Sequence, residues 1–522
     1  MTKDQILKAL TKSYKSNQIV PLVLSPNFQF ELYPKSINRL QDAFVFLARH
    51  ENGKFLYIYA EDKANLILSR FQGEFAPLDS ERSGWLKRCP MTHDNAEQVR
   101  AQFAFARPVL IGLENSFGMG DRLGIANPAH LRAIMATDMK PILAQQSIRE
   151  LQRTQRKPEQ VMDAATWAVL QEGYKSGFGA DADHLKTTDN IDLMAAAGFT
   201  MFTFDPGDHV VNEADTLTFE QLKAQINNLP WELLNDSPEN FIRRYENQQF
   251  KIGADFNLKP NEEQVYRALV KYGGVIAHTN KLFQYLKERY PAHPAELELS
   301  VDETDSVTSP FEHFLIASEL RRLEIPLVSL APRFVGDFEK GIDYKGNLSE
   351  FRSEYLKHLM IAEKMGPYKI SIHSGSDKFR VYEVIGELEQ GRVHVKTAGT
   401  SYLEALHTVA AVQPNLFREI LDFSREHFES EKASYHISAS LDKVLPANQY
   451  TDVQLLKLFE QEDARQVLHV TFGKVLTSQN DRREYLFRQR ILSCLNAHEE
   501  THYRFLIRHF ERHLLPFKKR NS

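Results

Sequence analysis

The sequence of 522 residues is poor in cysteine, in net charge and in long apolar runs. Its two cysteines, Cys89 and Cys494, lie far apart, which excludes a disulfide framework or a cysteine-rich zinc site and favours a reducing compartment. A formal net charge of −5 gives no positive field that would attract nucleic acid. No apolar run approaches the roughly 18 residues of a membrane span, and the N-terminus lacks the apolar core of a signal peptide. These absences predict a cytoplasmic protein without a nucleic-acid or membrane partner.

The length of the chain predicts more than one structural unit. Residues 1–105 are predicted to form a small α+β unit. Its strands are the β-rich runs IVPLVLSP, DAFVFLARH and KFLYIYAED, and a capped helix follows in MTHDNAEQVRAQFAF.

In residues 106–410, short apolar runs alternate with segments of helical pattern. The runs are PVLIGLE (108–114), PILAQQS (141–147), FGADADH (178–184), FTMFTFDP (199–206), ELELSVDE (296–303), PLVSLAPRF (326–334), YKISIHSG (368–375) and VHVKTAGT (393–400). Eight strands joined by helices predict an α/β fold, a (β/α)8 TIM-like barrel. An open doubly wound sheet is the alternative, because a strand count does not prove closure.

Two further segments are predicted to be helical. Residues 212–292 separate the fourth and fifth runs, and their helical spacing predicts an insertion over the barrel mouth. Residues 411–522 are predicted to form a mainly helical C-terminal extension, with one return strand near SYHISAS (434–440).

Strand alternation places an unusual number of polar side chains inside the predicted barrel. The inward set comprises Asp181, Asp183, Glu296, Glu298, Ser300, Asp302, Lys369, Ser371, His373, His394 and Lys396, with His184 at a strand end. A structural ion-pair layer explains any one of them, whereas the whole set near the strand ends favours an active site. Carboxylates together with imidazoles suit a divalent cation such as Zn, Mn, Co or Ni.

Three other motifs give weaker signals of function. The loops HSGSDK (373–378) and TAGTSY (397–402) follow the last two strands, where Lys378, Thr400 and Ser401 are predicted to hold a phosphate or carboxylate, or else serve as ordinary turns. SFGMGDRLG (116–124) is glycine-rich but departs from the dinucleotide fingerprint. His498-Glu499-Glu500-Thr501-His502 matches H-E-x-x-H, but the chain beyond it lacks the extended motif, so these histidines and His509 are predicted to lie on the surface.

Several longer blocks together resemble the tagaturonate epimerase family, from about residue 108 to about 480. They are GDRLGIANPAH, AQQSIRE, GFGADADHLK, GFTMFTFDPGDHV, SVDET, RFVGDFEKGIDYKG, ISIHSGSDKF and HVKTAGTSYLEAL. The resemblance implies a metal-dependent enzyme that interconverts D-tagaturonate and D-fructuronate.

The resemblance also implies roles for individual residues. Asp183 matches the proton acceptor, Glu298 the proton donor, and His184 and His373 metal ligands, while Glu339 is assigned as the third ligand. The substrate, a small sugar acid, is predicted to contact Gln146, Lys186, Arg333, Ser374, Ser376, Lys378, Lys396 and Thr400.

Two routes are open for the reaction, because the inverted carbon is β to the ketone and its C–H is not acidified. Acid and base can act on opposite faces, or the C–C bond can open by retro-aldol cleavage and close on the other face. The alternative functions are a metal-dependent sugar or sugar-phosphate aldolase or isomerase on the same barrel, and a sugar-binding protein without catalysis.

Overall fold

The computed structural model describes residues 7–8, 10–12, 20–25, 28–50, 53–76, 84–373, 377–388, 392–397, 399–433 and 435–518. An antiparallel sheet lies near the N-terminus. Its strands are β1 (Val20–Ser25), β2 (Phe28–Leu32), β3 (Asn38–Leu40), β4 (Ala43–His50), β5 (Gly53–Ala60), β6 (Glu74–Phe75) and β7 (Trp85–Cys89). They pair in the order β1-β2-β4-β5-β7-β6, with β3 on β4. Helices α1 (Leu66–Arg70) and α2 (His93–Gln102) complete this part, and the Thr92 side chain caps α2 as the sequence predicts.

Eight parallel strands close into a barrel, which confirms the predicted fold and excludes the open sheet. They are β8 (Ser116–Met119), β9 (Lys140–Ser147), β10 (Gly179–Leu185), β11 (Met201–Phe204), β14 (Glu296–Val301), β15 (Leu327–Pro332), β16 (Lys369–His373) and β17 (Val393–Thr397). Each pairs with the next, and β17 closes on β8. Such closure leaves no strand edge unpaired.

The first barrel strand differs from the prediction. Residues 108–114 form an irregular segment in which Val109 and Leu110 are exposed, and the strand is Ser116–Met119 instead. Glycine at position 118 leaves room for the Gln145 side chain on β9, because a Cβ atom would lie 2.0 Å from its amide oxygen. Gly118 therefore allows close packing inside the barrel.

Helices surround the barrel and connect its strands. In chain order they are α3 (Asn127–Ile134), α4 (Ile148–Thr154), α5 (Pro158–Glu172), α6 (Thr188–Ala196), α7 (Phe219–Ile226), α8 (Trp231–Leu234), α9 (Pro238–Tyr245), α10 (Glu262–Arg289), α11 (Pro310–Arg322), α12 (Leu348–Met365), α13 (Phe379–Leu388) and α14 (Thr400–Val412). The short hairpin of β12 (Phe250–Lys251) and β13 (Asn257–Leu258) lies between α9 and α10. The long helix α10 packs between α6 and α11, so it takes a place in the outer ring rather than over the mouth.

The chain ends in further helices, as predicted. They are α15 (Pro414–Lys432), α16 (Asp452–Lys457), α17 (Glu462–Val470), α18 (Phe472–Thr477), α19 (Arg488–Ala497) and α20 (Glu499–Leu514). Helices α14 to α19 share a second apolar core, whereas α20 packs on α3 and α14 and enters the main core. The predicted return strand is wrong, since residues 435–440 form no strand. Within the described residues, no helix has the length and apolar character needed to cross a membrane.

The surface assignment of the H-E-x-x-H histidines is also wrong in part. His498 is exposed, but His502 and His509 are buried in α20. The Glu499 carboxylate pairs with Arg49 and Lys54 of the N-terminal sheet. Glu499 of this motif therefore joins the two ends of the chain. The histidines were predicted to lie on the surface because the helix is rich in charged residues, but charges such as Glu499 are paired inside the protein.

Candidate functional site

The polar set predicted from strand alternation meets around one ammonium group. Lys396 Nζ lies 2.8 Å from Asp183 Oδ1, and 2.7 Å from both Asp181 Oδ2 and Glu298 Oε1. Burial alone would lower the pKa of Lys396, but these carboxylates outweigh it and raise the pKa well above its usual value. The three carboxylates therefore favour the charged ammonium form of Lys396 over the free amine that an imine with a substrate requires.

Backbone irregularity brings two adjacent side chains of β10 to the same cavity. In a regular strand Asp183 and His184 would point to opposite faces. His184 instead has a φ of 54°, and the pairing of β10 with β11 shifts register between Ala182 and Leu185. A left-handed residue other than glycine costs about 1–2 kcal/mol and is found where function requires it. Both side chains line the cavity as a result.

Two imidazoles and one carboxylate converge beside Asp183. Ligand atoms of His184, His373 and Asp302 all lie within 4.8 Å of one another. His373 Nδ1 is 3.3 Å from Asp302 Oδ1, and the rings of the two histidines are 5.2 Å apart at their centroids. This donor set of two imidazoles and one carboxylate is typical of sites for Zn²⁺ and similar divalent ions.

Each imidazole also has a carboxylate behind it. Asp205 Oδ2 lies 3.1 Å from His184 Nδ1, which leaves Nε2 toward the cavity. Glu298 Oε1 lies 2.7 Å from His373 Nε2, which leaves Nδ1 toward Asp302. Carboxylates in these positions fix the tautomer and orientation of histidine ligands. The residues present therefore fit a divalent metal ion.

The electrostatic field at this point favours positive charge. Burial acts against the charged form of His184, but Asp183, Asp205 and Asp302 raise its pKa to about 10. Burial likewise opposes charge on His373, and Asp302 and Glu298 raise its pKa to about 9. A site that draws protons to two imidazoles will also attract a cation, which must displace those protons.

The site opens into two adjoining cavities at the C-terminal ends of the strands, where barrel active sites lie. The smaller has a volume of about 50 Å³ beside Asp183, His184, His373 and Lys396. The larger has a volume of about 410 Å³ beside Asp302 and Arg333. Both are lined by Arg149, Lys340, His373 and Tyr435. Their cations give the space an affinity for anionic groups.

The Glu339 carboxylate is bound by side chains that do not belong to the predicted metal site. Its carboxylate accepts hydrogen bonds from the Ser438 hydroxyl and the Gln466 amide and pairs with Lys345. Asp302 takes the third position beside the two histidines instead. The sequence had placed Asp302 inward but gave no reason to prefer it, because strand position does not show which side chains meet.

The other residues predicted to contact the substrate lie in different places. Lys396 and Arg333 line the cavities. Gln146 is buried on the strand face opposite Gln145 and Ser147, which line the smaller cavity, and Lys186 pairs with Asp208 at the surface. Ser374 and Ser376 lie outside the described residues, and Thr400 is buried away from both cavities.

The predicted anion loop around Lys378 is occupied by the protein itself. The ammonium group donates to the carbonyl oxygens of Glu339, Ile342 and Asp377, at 2.9, 2.6 and 3.1 Å. Lys378 therefore holds neighbouring loops together, and this arrangement gives no support to phosphate binding there.

Several cavity residues were not predicted. They include Lys340, and also Tyr435 and His469, which reach the site from the C-terminal extension. His469 fits because residue 399 is glycine, where a Cβ atom would lie 1.9 Å from the imidazole Cε1. No local sequence signal links the extension to the barrel mouth, so only the fold could reveal these contacts.

Comparison with known proteins gives the family of the chain. Residues 33–516 match the family model of tagaturonate epimerase. The chain is similar to the tagaturonate/fructuronate epimerase of Thermotoga maritima, with 41% identity over 490 residues that cover 93% of this chain and 96% of the relative.

Crystal structures of the fructuronate-tagaturonate epimerase of Cohnella laeviribosi are similar throughout. The native structure has 34% identity and a TM-score of 0.86, covering 99% of both chains. The complex with one glycerol gives the same identity and TM-score, covering 98% of this chain and 99% of the other. The resemblance predicted from the sequence blocks is confirmed, and the chain belongs to the tagaturonate epimerase family.

Proposed function

We propose that this protein interconverts D-tagaturonate and D-fructuronate with the help of a divalent metal ion. The observation that carries the proposal is the convergence of Asp183 with His184, His373 and Asp302 at a cavity lined by cations. A base, a metal-binding set and a positively charged wall are what an epimerase for a sugar acid requires. The unpaired thiols of Cys89 and Cys494 agree with the expected cytoplasmic location.

His184, His373 and Asp302 would hold the metal, with Asp205 and Glu298 orienting the imidazoles. A divalent ion there would supply Lewis-acid chemistry, polarising a ketone and stabilising negative charge on neighbouring oxygens. Glu298 is fully buried and is bound by His373, Lys396 and Ser329. We therefore assign it to positioning His373, in place of the proton-donor role that the resemblance implied.

Asp183 is the proposed base. It borders the cavity, and Lys396 Nζ holds its carboxylate in place at 2.8 Å from Oδ1. Asp183 takes the proton of the substrate hydroxyl on the carbon to be inverted. The bond between that carbon and its neighbour next to the ketone then breaks, which leaves an aldehyde and an enediolate. Rotation of the aldehyde presents its other face, the bond re-forms, and Asp183 returns the proton.

This retro-aldol route needs one base, whereas direct proton transfer needs acid and base on opposite faces of the carbon. Only Asp183 of the proposed pair reaches the cavity, since Glu298 has no exposed surface. The three carboxylates around Lys396 favour its charged form, which argues against an imine mechanism at this residue. The arrangement therefore favours the single-base route.

Turnover of D-tagaturonate in deuterated water tests both the function and the route. We expect chromatography to show D-fructuronate, and NMR to show no deuterium on the inverted carbon, because its hydrogen never leaves it. Deuterium at that carbon would contradict the retro-aldol route, and failure to form fructuronate with metal supplied would contradict the function.

We further propose that Lys340 binds the substrate carboxylate. It lines both cavities, is half-buried, and has no ion-pair partner within the part of the chain described above. Arg149 lines the same space but already pairs with Glu303 at 3.3 Å. Of these two side chains that line both cavities, Lys340 is therefore the better placed to receive an anionic group.

Lys340→Met should raise KM for tagaturonate by about 10- to 100-fold, the effect of losing one charge-assisted hydrogen bond, with a smaller change in kcat. Steady-state kinetics on the metal-loaded enzyme measure this. Lys345→Met is the matched control, because Lys345 pairs with Glu339 and lines neither cavity. An unchanged KM, or an equal loss on a ketose without a carboxylate, would contradict carboxylate recognition by Lys340.

A further inference from the structure

A second group of buried metal-binding side chains lies outside the catalytic cavity. Ligand atoms of Asp377, His509 and His513 lie within 4.8 Å of one another, and all three residues are buried. Asp377 follows β16, and the two histidines stand four residues apart in α20. Residues at this spacing share one face of a helix, so both imidazoles can bind the same ion.

The contacts within this group lack the geometry of hydrogen bonds. Asp377 Oδ1 lies 3.0 Å from His509 Nε2 and 3.1 Å from His513 Nε2. All three atoms are nevertheless buried without a hydrogen-bond partner. Three buried polar atoms at such short distances require a positive charge among them, which either a protonated imidazole or a bound cation supplies.

The opposite edges of the imidazoles are already occupied. His513 Nδ1 lies 3.1 Å from the carbonyl oxygen of His509, so this nitrogen must donate. In the neutral ring Nε2 then carries a lone pair, which faces the Asp377 oxygen. His509 Nδ1 lies 3.2 Å from Glu404 Oε1, which orients its ring in the same way.

This pattern is that of histidine ligands held by a carbonyl and a carboxylate behind them. Arg465 pairs with Asp377 Oδ2 at 2.5 Å, which leaves Oδ1 for an ion. We propose that Asp377, His509 and His513 form a second divalent metal site, of the class that takes Zn²⁺. The ion would tie α20 to Asp377, which lies just before α13, and the site is independent of the proposed catalytic function.

Crystals of the full-length wild-type protein grown with Zn²⁺ locate the ion directly by anomalous scattering at the zinc edge. We expect a peak among Asp377 Oδ1 and the two Nε2 atoms, whether or not a peak occurs at His184 and His373. Absence of a peak at the first position in zinc-loaded crystals would overturn the proposal.

Zinc stoichiometry provides the second measurement. His513→Gln should bind one fewer Zn²⁺ per chain than the wild type, by mass spectrometry of the metal after desalting. His502→Gln is the matched control, because His502 is buried in the same helix with an unpaired Nε2 but belongs to no such group. Equal zinc content in a folded His513→Gln variant and the wild type would also overturn the proposal.

Discussion

Replacing Asp183 by asparagine should lower kcat for the conversion of tagaturonate by about a thousandfold, within the usual range for loss of a general base. An amide keeps the shape of the carboxylate but cannot take the hydroxyl proton. KM should change little, because Asp183 is not assigned to the substrate carboxylate. Steady-state kinetics with metal present provide the measurement.

Asp208→Asn is the matched control for this substitution. Asp208 pairs with Lys186 at the surface and lines neither cavity, so its variant should retain wild-type turnover. Circular dichroism of both variants separates lost chemistry from lost fold. Wild-type turnover in a folded, metal-loaded Asp183→Asn protein would contradict the assignment of Asp183 as the base.

Replacing Asp302 by alanine should have the second large effect. Removing one of three ligands should raise the metal concentration needed for half-maximal activity by more than about 100-fold, beyond the usual effect of changing a residue that only orients a ligand. Titration of the metal-free variant with Zn²⁺ or Mn²⁺, followed by activity, measures this requirement.

Glu339→Gln distinguishes the two candidates for the third ligand. The Glu339 carboxylate is engaged by Ser438, Gln466 and Lys345, so its variant should keep a metal requirement close to that of the wild type. The metal site proposed above would be contradicted if the required metal concentration rose strongly for Glu339→Gln and did not rise for Asp302→Ala. That result would favour Glu339 as the third ligand.

Much of the fold could be predicted because its signals are local. Seven of the eight predicted runs overlap the barrel strands, since apolar alternation and helical spacing depend on neighbouring residues. The first strand was predicted too early in the chain, because the apolar run PVLIGLE precedes it and Gly118 weakens the strand pattern of the segment itself. The place of α10 in the outer ring depends on distant contacts that spacing does not encode.

The candidate site could be predicted in part for the same reason. Alternation brought Asp181, Asp183, Glu298 and Lys396 into one interior, and the structure joins them at a single ammonium group. Glu339 was assigned as the third ligand and Asp302, the ligand now proposed, was not, because that assignment depends on which strand ends meet in space.

The contacts made by the C-terminal segments could not be predicted from the sequence. Tyr435 and His469 border the smaller cavity although they follow the last barrel strand by about 40 and 70 residues. His509 appeared to be a surface residue because its helix is rich in charge, yet its partners come from two other segments. Burial of charged residues depends on pairing, which a single sequence does not display.

The central claim is a metal-dependent conversion of tagaturonate to fructuronate at the barrel mouth. Its most direct test is to strip the wild-type enzyme with a chelator, remove the chelator, and follow fructuronate by chromatography before and after adding Zn, Mn, Co or Ni. We expect conversion to stop in the stripped enzyme and to return with at least one of these ions. Undiminished conversion by enzyme verified to be metal-free, or no conversion with any of the ions, would contradict the claim.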